Sequence, residues 1–357
     1  MRGAIFMLLA SLLAVCHPVK ADSLTGDTPV KPAAAVPHAA TPFDPNGYQH
    51  PDGAISLHYR GDYIEPYFAT KALILAQDAG LDVRQPVQHW IKWLLPRQEK
   101  NGSFGRYCRK PKGDWQLCSP ADADDSTLAL WLQLLYTNAP DSGIPVEWQA
   151  SVDRARVGLD ALRNSRLGVY HVSRQNHVAL LMDNVEVYSA LADIARAQER
   201  FGQKQQADET RKKAESLDSA IQQVFWNKHE EWFRPSIQKN RPEFYPDVVA
   251  QVYPWLADMP MNSDVQTRDA WMSWKNRFAG DWLNKKSDPH PWGLVAMTAV
   301  KFGDNSSAAC WLSRSEPLRF SSNWNILEES AFQAVEANIG DSSRTDPSAC
   351  AKVTATP

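Results

Sequence analysis

Apolar residues recur at helical spacing along most of the chain, and polar residues fill the intervening positions. Glu65–Ala79 carries such a stripe and stops at Gly80. Val87–Gln98 brings Trp90, Ile91, Leu94 and Leu95 onto one face and runs into the turn Asn101-Gly102. Asp122–Tyr136 opens with acids and becomes almost wholly apolar. Pro145–Arg163 is amphipathic and begins with a proline, as helix starts allow. Leu180–Phe201 is again apolar and carries Asp183 near its start, whereas Gln203–Trp226 is charged. Further helices are expected over Asp247–Ala257, Asp264–Phe278, Pro291–Phe302, Ala308–Leu312 and Ile326–Ile339. Strand patterning is sparse. Gly168–Val172 and Glu231–Ile237 carry it best, and both read as hairpin inserts.

Two kinds of helix alternate in this series. One is apolar on all sides and opens with acids or Asn. The next is amphipathic. A helix apolar all round must be buried all round. Alternating buried and half-buried antiparallel helices close naturally into an inner ring inside an outer ring. The expected fold is therefore all-α, an (α/α)6 toroid with minor β-hairpin inserts, with an ordinary helical bundle as the competing arrangement.

The ends of the chain read differently. Ala4–Cys16 is an apolar run behind Arg2, too short to span a bilayer and suited to a signal-peptide core. Val19 and Ala21 suit cleavage after Ala21, giving a signal peptide over 1–21; Leu13–Cys16 offers a lipoprotein box as the alternative. Residues 22–47 are rich in Pro, Ala and Thr and read as a linker. The toroid is expected over 48–340 and a loop-like tail over 341–357. The expected location is periplasmic or secreted, without stable membrane insertion after cleavage. Cleavage leaves Cys108, Cys118, Cys310 and Cys350, which allow three pairings. Nearest-neighbour pairing, 108 with 118 and 310 with 350, suits an oxidising compartment, and the spacing matches no zinc pattern.

Over 357 residues the formal net charge is -3, which gives no basic face for nucleic acid. The 14 tryptophans exceed what a core needs, so some are candidate sugar platforms, although most are expected in the interior. No nucleotide loop, HExxH helix, Gly-x-Ser-x-Gly elbow or EF-hand spacing occurs, so no cofactor and no metal are expected.

In such a ring all inner helices run the same way, and their N-termini share one mouth. Acids there serve as caps worth about 1 kcal/mol each, or they line a cleft. The acids and amides in question are Glu65, Asp122, Asp124, Asp125, Asp183, Asn184, Glu186, Asp247 and Glu328, with Tyr63, Tyr188, His290, Trp292 and Trp324 beside them. So many polar groups on helices of Leu, Ala, Val and Trp cost burial free energy unless a ligand uses them.

These segments resemble the six-hairpin glycosidase superfamily. Glu65-Pro66-Tyr67-Phe68-Ala69 looks like the first inner helix of family-eight glycoside hydrolases, where a Glu is the general acid; Pro66 departs from the small residues usual there. Ala121–Asp125 followed by Leu128-Ala129-Leu130-Trp131 is similar to their second inner helix. Asn184–Leu191, with the charged helix ending at Phe225-Trp226, is similar to glycogen-debranching toroids. Gln98–Phe104 resembles a turn of the terpenoid cyclases.

The resemblance implies an inverting glycoside hydrolase; export together with a toroid suggests a bacterial exopolysaccharide or cell-wall glycan as substrate, and a monomer is expected. Glu65 would be proton donor and Asp125 or Asp183 the base. The family's base has no clear counterpart, which also leaves Asp247 open. Two alternatives use the same fold. One is a polysaccharide lyase or uronate epimerase drawing on His171, Arg174, Asn176, His177, Tyr188 or His290. The other is a non-catalytic glycan-binding toroid in polysaccharide secretion.

Overall fold

The computed structural model describes residues 40–110, 113–238, 241–260, 267–340 and 348–354. The signal-peptide reading and most of the linker reading lie outside them.

Six helices form the inner ring: α1 (Pro66–Asp78), α3 (Asp124–Asn138), α5 (Leu181–Arg200), α7 (Val252–Leu256), α9 (Gly293–Lys301) and α11 (Ile326–Asn338). Between them run α2 (Arg84–Leu94), α4 (Val146–Asp160), α6 (Lys204–Phe225), α8 (Thr267–Asn284), α10 (Asn305–Ser315) and α12 (Ala349–Thr354). Each inner helix packs on the next, and α11 returns to α1, so the ring closes. The expected (α/α)6 toroid is the architecture observed. The reason is visible in α3, where eleven consecutive residues, Asp125 to Leu135, are buried, whereas α4 buries only Ser151, Val152, Ala155, Gly158 and Leu159. No described helix is long and apolar enough to cross a membrane.

Three local departures matter. The fourth inner helix is short. Tyr245 is non-helical, a π-type turn covers Phe244–Val248, a 3-10 turn follows, and α7 ends at Leu256. Pro246 and Pro254 remove two backbone donors from this stretch, which explains why the expected helix over 247–257 breaks up. The linker also ends earlier than expected. Phe43 is buried, its N–H donates to the Asp82 carbonyl at 3.0 Å, and Asp44 and Gln333 exchange two hydrogen bonds. Residues 41–47 thus brace α11. Finally, the tail is not all loop: α12 packs on α10 and α8, and Cys350 is bonded to Cys310.

A three-stranded antiparallel sheet joins β1 (Tyr63–Ile64), β2 (Gly105–Arg109) and β3 (Trp115–Pro120), stapled by Cys108–Cys118. Both disulfides follow the nearest-neighbour pairing. Of the expected hairpins, Glu231–Ile237 contributes β5 (Trp232–Phe233), paired with β4 (Trp226–Asn227). Gly168–Val172 contributes only a bridge, Arg163 to Tyr170. The core is aromatic: Trp90, Trp131, Trp271, Trp274, Trp282 and Trp311 are fully buried.

Candidate active site

The N-terminal ends of α1, α3 and α5 bring Glu65, Asp125 and Asp183 to one mouth of the ring, with Glu186 nearly one turn further along α5. Glu65 precedes α1, Asp125 lies in the first turn of α3, and Asp183 and Glu186 lie at the start of α5. All four are buried, Asp125 completely. Glu65, the N-cap of α1, makes no side-chain capping bond, and Asp125 accepts from the adjacent Ser126 amide at 2.9 Å. Asn325 shows the contrast: as N-cap of α11 it accepts from the Leu327 and Glu328 amides at 2.9 and 3.1 Å. Each of the four acids instead keeps one buried oxygen without a hydrogen-bond partner: Glu65 Oε1, Asp125 Oδ2, Asp183 Oδ2 and Glu186 Oε2. Such atoms are costly in an interior and mark a place built for a ligand or a proton.

Burial governs their protonation. Asp125 is pushed up to about 8, mainly by desolvation, with Glu186 and Asp124 nearby adding to it and backbone N–H groups opposing it. Asp183 is also raised, first by desolvation and then by Asp125 and Glu186. Burial and the charge of Asp125 thus both favour the protonated form of Asp183. Glu65 rises to about 7 through desolvation, against the pull of Arg106. Arg106 reaches from β2, donating to Glu65 Oε2 and lying 3.4 Å from the exposed Asp122. Asp124 is raised more mildly, again by desolvation. Tyr63 is half-buried on β1, beside Glu65 and Arg106.

Behind the aspartates stands a group that the apolar patterning of α1 conceals. Lys71 is buried and ion-paired with Glu186 Oε1. Tyr67, one turn before it on the same helix face, donates to the same oxygen at 2.8 Å. The Lys71 ammonium also lies 4.2 Å from the ring centre of Tyr253. The sequence signal was a lone charge, Lys71, within Phe68–Ala76, a run otherwise apolar but for Thr70.

On the far side, Glu328 is buried and accepts from the Gly293 amide at 2.7 Å, tying α11 to α9. Desolvation lifts it to about 7. Gly293 is needed there, since a Cβ would meet Ala331 Cβ at 2.4 Å and Glu328 Oε2 at 2.8 Å. Trp292, held at φ 52°, stacks on Tyr245 with centroids 4.7 Å apart and planes 17° apart. Tyr245 is 44% exposed, so the pair presents an aromatic face. His290 is exposed and bonded to Asp288 at 3.0 Å.

Several expected substrate contacts have other work. Asn184 is fully buried and bonds the Tyr170 N–H, the Tyr170 carbonyl and the Leu180 carbonyl, so it braces the preceding loop. Trp324 is buried and donates to Glu329 at 3.0 Å, so it is a core residue rather than a platform. Tyr188 lines a cavity running toward the opposite end of the ring. Asp247 accepts from the Glu243 amide at 3.0 Å within its own turn. The histidines considered for a lyase engage their own loop: His171 stacks on His177, and His177 bonds the Arg174 carbonyl.

Residues 138–290 match the family described as mannosylglycerate hydrolase MGH1-like glycoside hydrolase domain. That stretch holds Asp183 and Glu186. No curated protein matches the chain. Among solved structures, a novel α-amylase from Clostridium perfringens aligns with TM-score 0.54 and 12% identity over 82% of this chain and 94% of its own. A rhamnosidase from Klebsiella oxytoca with rhamnose bound gives 0.52 and 13% over 79% and 59%. A wild-type glycosidase gives 0.51 and 13% over 81% and 92%. At such identities these likenesses speak for the fold, and the matched domain gives the class that the sequence reading expected, a glycoside hydrolase.

Proposed function

We propose that the chain is an exported glycosidase that hydrolyses a polysaccharide or oligosaccharide by carboxylate acid/base catalysis with inversion. The observation that carries this reading is the set of three buried acids, Glu65, Asp125 and Asp183, at the starts of three adjacent inner helices, each with an unpartnered oxygen. Glycoside hydrolysis needs one carboxyl protonated and another ionised. Glu65, near 7 and steered by Arg106, is suited to donate a proton to the leaving oxygen. The charge of Asp125 raises Asp183, so the two do not ionise together, and the one that ionises would activate water. The Tyr245–Trp292 face would support a sugar ring. Inversion rests on the family-eight resemblance. Export rests on the apolar run Ala4–Cys16 and two disulfides.

The test is a reducing-end assay of the purified chain on neutral and uronic-acid glycans, with proton NMR of the first-formed anomer. New reducing ends of inverted configuration support the reading. An unsaturated, ultraviolet-absorbing product would assign the site to a lyase instead.

A further inference from the structure

The ring holds a hollow that Glu65, Asp125 and Asp183 do not line. It has a volume of about 530 Å³ and is lined by the later turns of the inner helices. Its deep end is formed by Lys71, Glu186 and Tyr253, and its outer end by Asp78, Arg196 and Lys301. Glu328 does not line it either. The short α7, ending at Leu256, helps leave this space open.

The walls carry unmet acceptors. Gln133 is 2% exposed and lines the hollow; its amide nitrogen donates to Asp193, and its Oε1 has no partner. Glu186 Oε2, at the deep end, is in the same condition. Two orphaned acceptors beside one cavity call for a ligand with hydroxyl or N–H donors.

The charges say which kind. Lys71 is paired with Glu186, Arg196 with Asp193, and Lys301 with Asp258 at 2.7 Å. These three pairs cancel around the wall, and Asp78 at the outer end adds one more acid, so the wall does not favour an anion. Between these pairs the surface is aliphatic, as at Ile74, Val185 and Met297. A purely alkyl chain would leave Gln133 and Glu186 unmet. A sugar offers C–H faces to the aliphatic turns and hydroxyls to the acceptors. The volume lies in the range of small-molecule sites.

We propose that this axial hollow is a second, non-catalytic binding site for a neutral polyol of mono- or disaccharide size, reached from the end opposite the acidic mouth. Its deep end is the Lys71–Glu186 pair, so an occupant touches the group that stands behind Asp183.

The experiment is calorimetric titration of the full chain with glucose, mannose, rhamnose, maltose, sucrose and trehalose, run on the Asp183→Asn variant to disable the mouth. At least one sugar is expected to bind saturably to Asp183→Asn, and at least tenfold more weakly once Gln133→Leu or Ala192→Phe is added. Circular dichroism confirms folding of each. An Ala192→Cys variant adds little bulk, and its alkylation by a maleimide should slow in the presence of the sugar. No saturable binding to Asp183→Asn, equal affinity in both cavity variants, or unprotected alkylation would overturn the proposal. It does not rest on the hydrolase reading, which the activity of Glu65→Gln and Asp183→Asn decides separately.

Discussion

Lys71 on α1 reaches across the inner ring to Glu186 on α5, and the Tyr67 hydroxyl shares the same carboxylate oxygen at 2.8 Å. Two helices that are not neighbours in sequence are thereby tied at the level of the candidate catalytic acids. Removing the cation alone strands a buried carboxylate. Lys71→Met is therefore expected to cost about 3–5 kcal/mol in urea unfolding. Lys71→Met combined with Glu186→Met should recover most of it. A double variant no more stable than the single one would refute the coupling.

Glu65 and Asp183 carry the chemistry in the proposed mechanism. Glu65→Gln and Asp183→Asn should each lower turnover by about 10²–10⁴-fold while leaving the fold intact, since general acid–base groups contribute that much. Rates on the responsive glycan, with thermal melts as controls, check this. Near-normal turnover in either variant removes that residue from its role.

Stability should fall as pH rises. Asp125 moves from 3.8 to about 8 on folding, and Glu65 and Glu328 from 4.5 to about 7, in each case chiefly by burial. These groups bind protons more tightly folded than unfolded. Their contribution is thus fully present below about pH 4 and is lost progressively toward about pH 8. The melting temperature should decline from acid to mildly alkaline pH, and Asp125→Asn should flatten the decline. A melting temperature that rises over this range would contradict the assignment.

The Tyr245–Trp292 stack is the proposed sugar platform. Aromatic contacts of this kind are worth about 0.5–1.5 kcal/mol. Tyr245→Ala should raise KM up to about tenfold with kcat little changed. Steady-state kinetics separate the two constants, and a fall in kcat alone would speak against a platform.

The disulfides close loops of different length, with sequence separations of 10 and 40. Opening Cys310–Cys350 by paired serine substitution should cost about 4 kcal/mol, and opening Cys108–Cys118 about 3 kcal/mol, on chain-entropy grounds. Denaturant titration of both double variants gives the order. The shorter loop also holds the strand that carries Arg106, so its loss should lower activity as well as stability.

The sequence by itself determined the ring. Helices such as α3, apolar on every face, have no stable place except between other helices, and their alternation with amphipathic partners specifies two layers. It also placed Glu65, Asp125 and Asp183 at helix starts, because acids there stand out against Leu, Ala and Trp. Only the tertiary structure decided which polar residues serve the site. Asn184 and Glu186 lie two positions apart on α5, yet one is consumed by the backbone of Tyr170 and the other faces Lys71 across the ring. Trp292 and Trp324 look alike in sequence, yet one stacks on an exposed tyrosine and the other is sealed in the core. Helical periodicity reports whether a position is buried. It does not report what lies opposite, because that partner comes from another element, 115 residues away for Lys71 and Glu186, and the pairing of charges and orphaned oxygens exists only once the ring has closed.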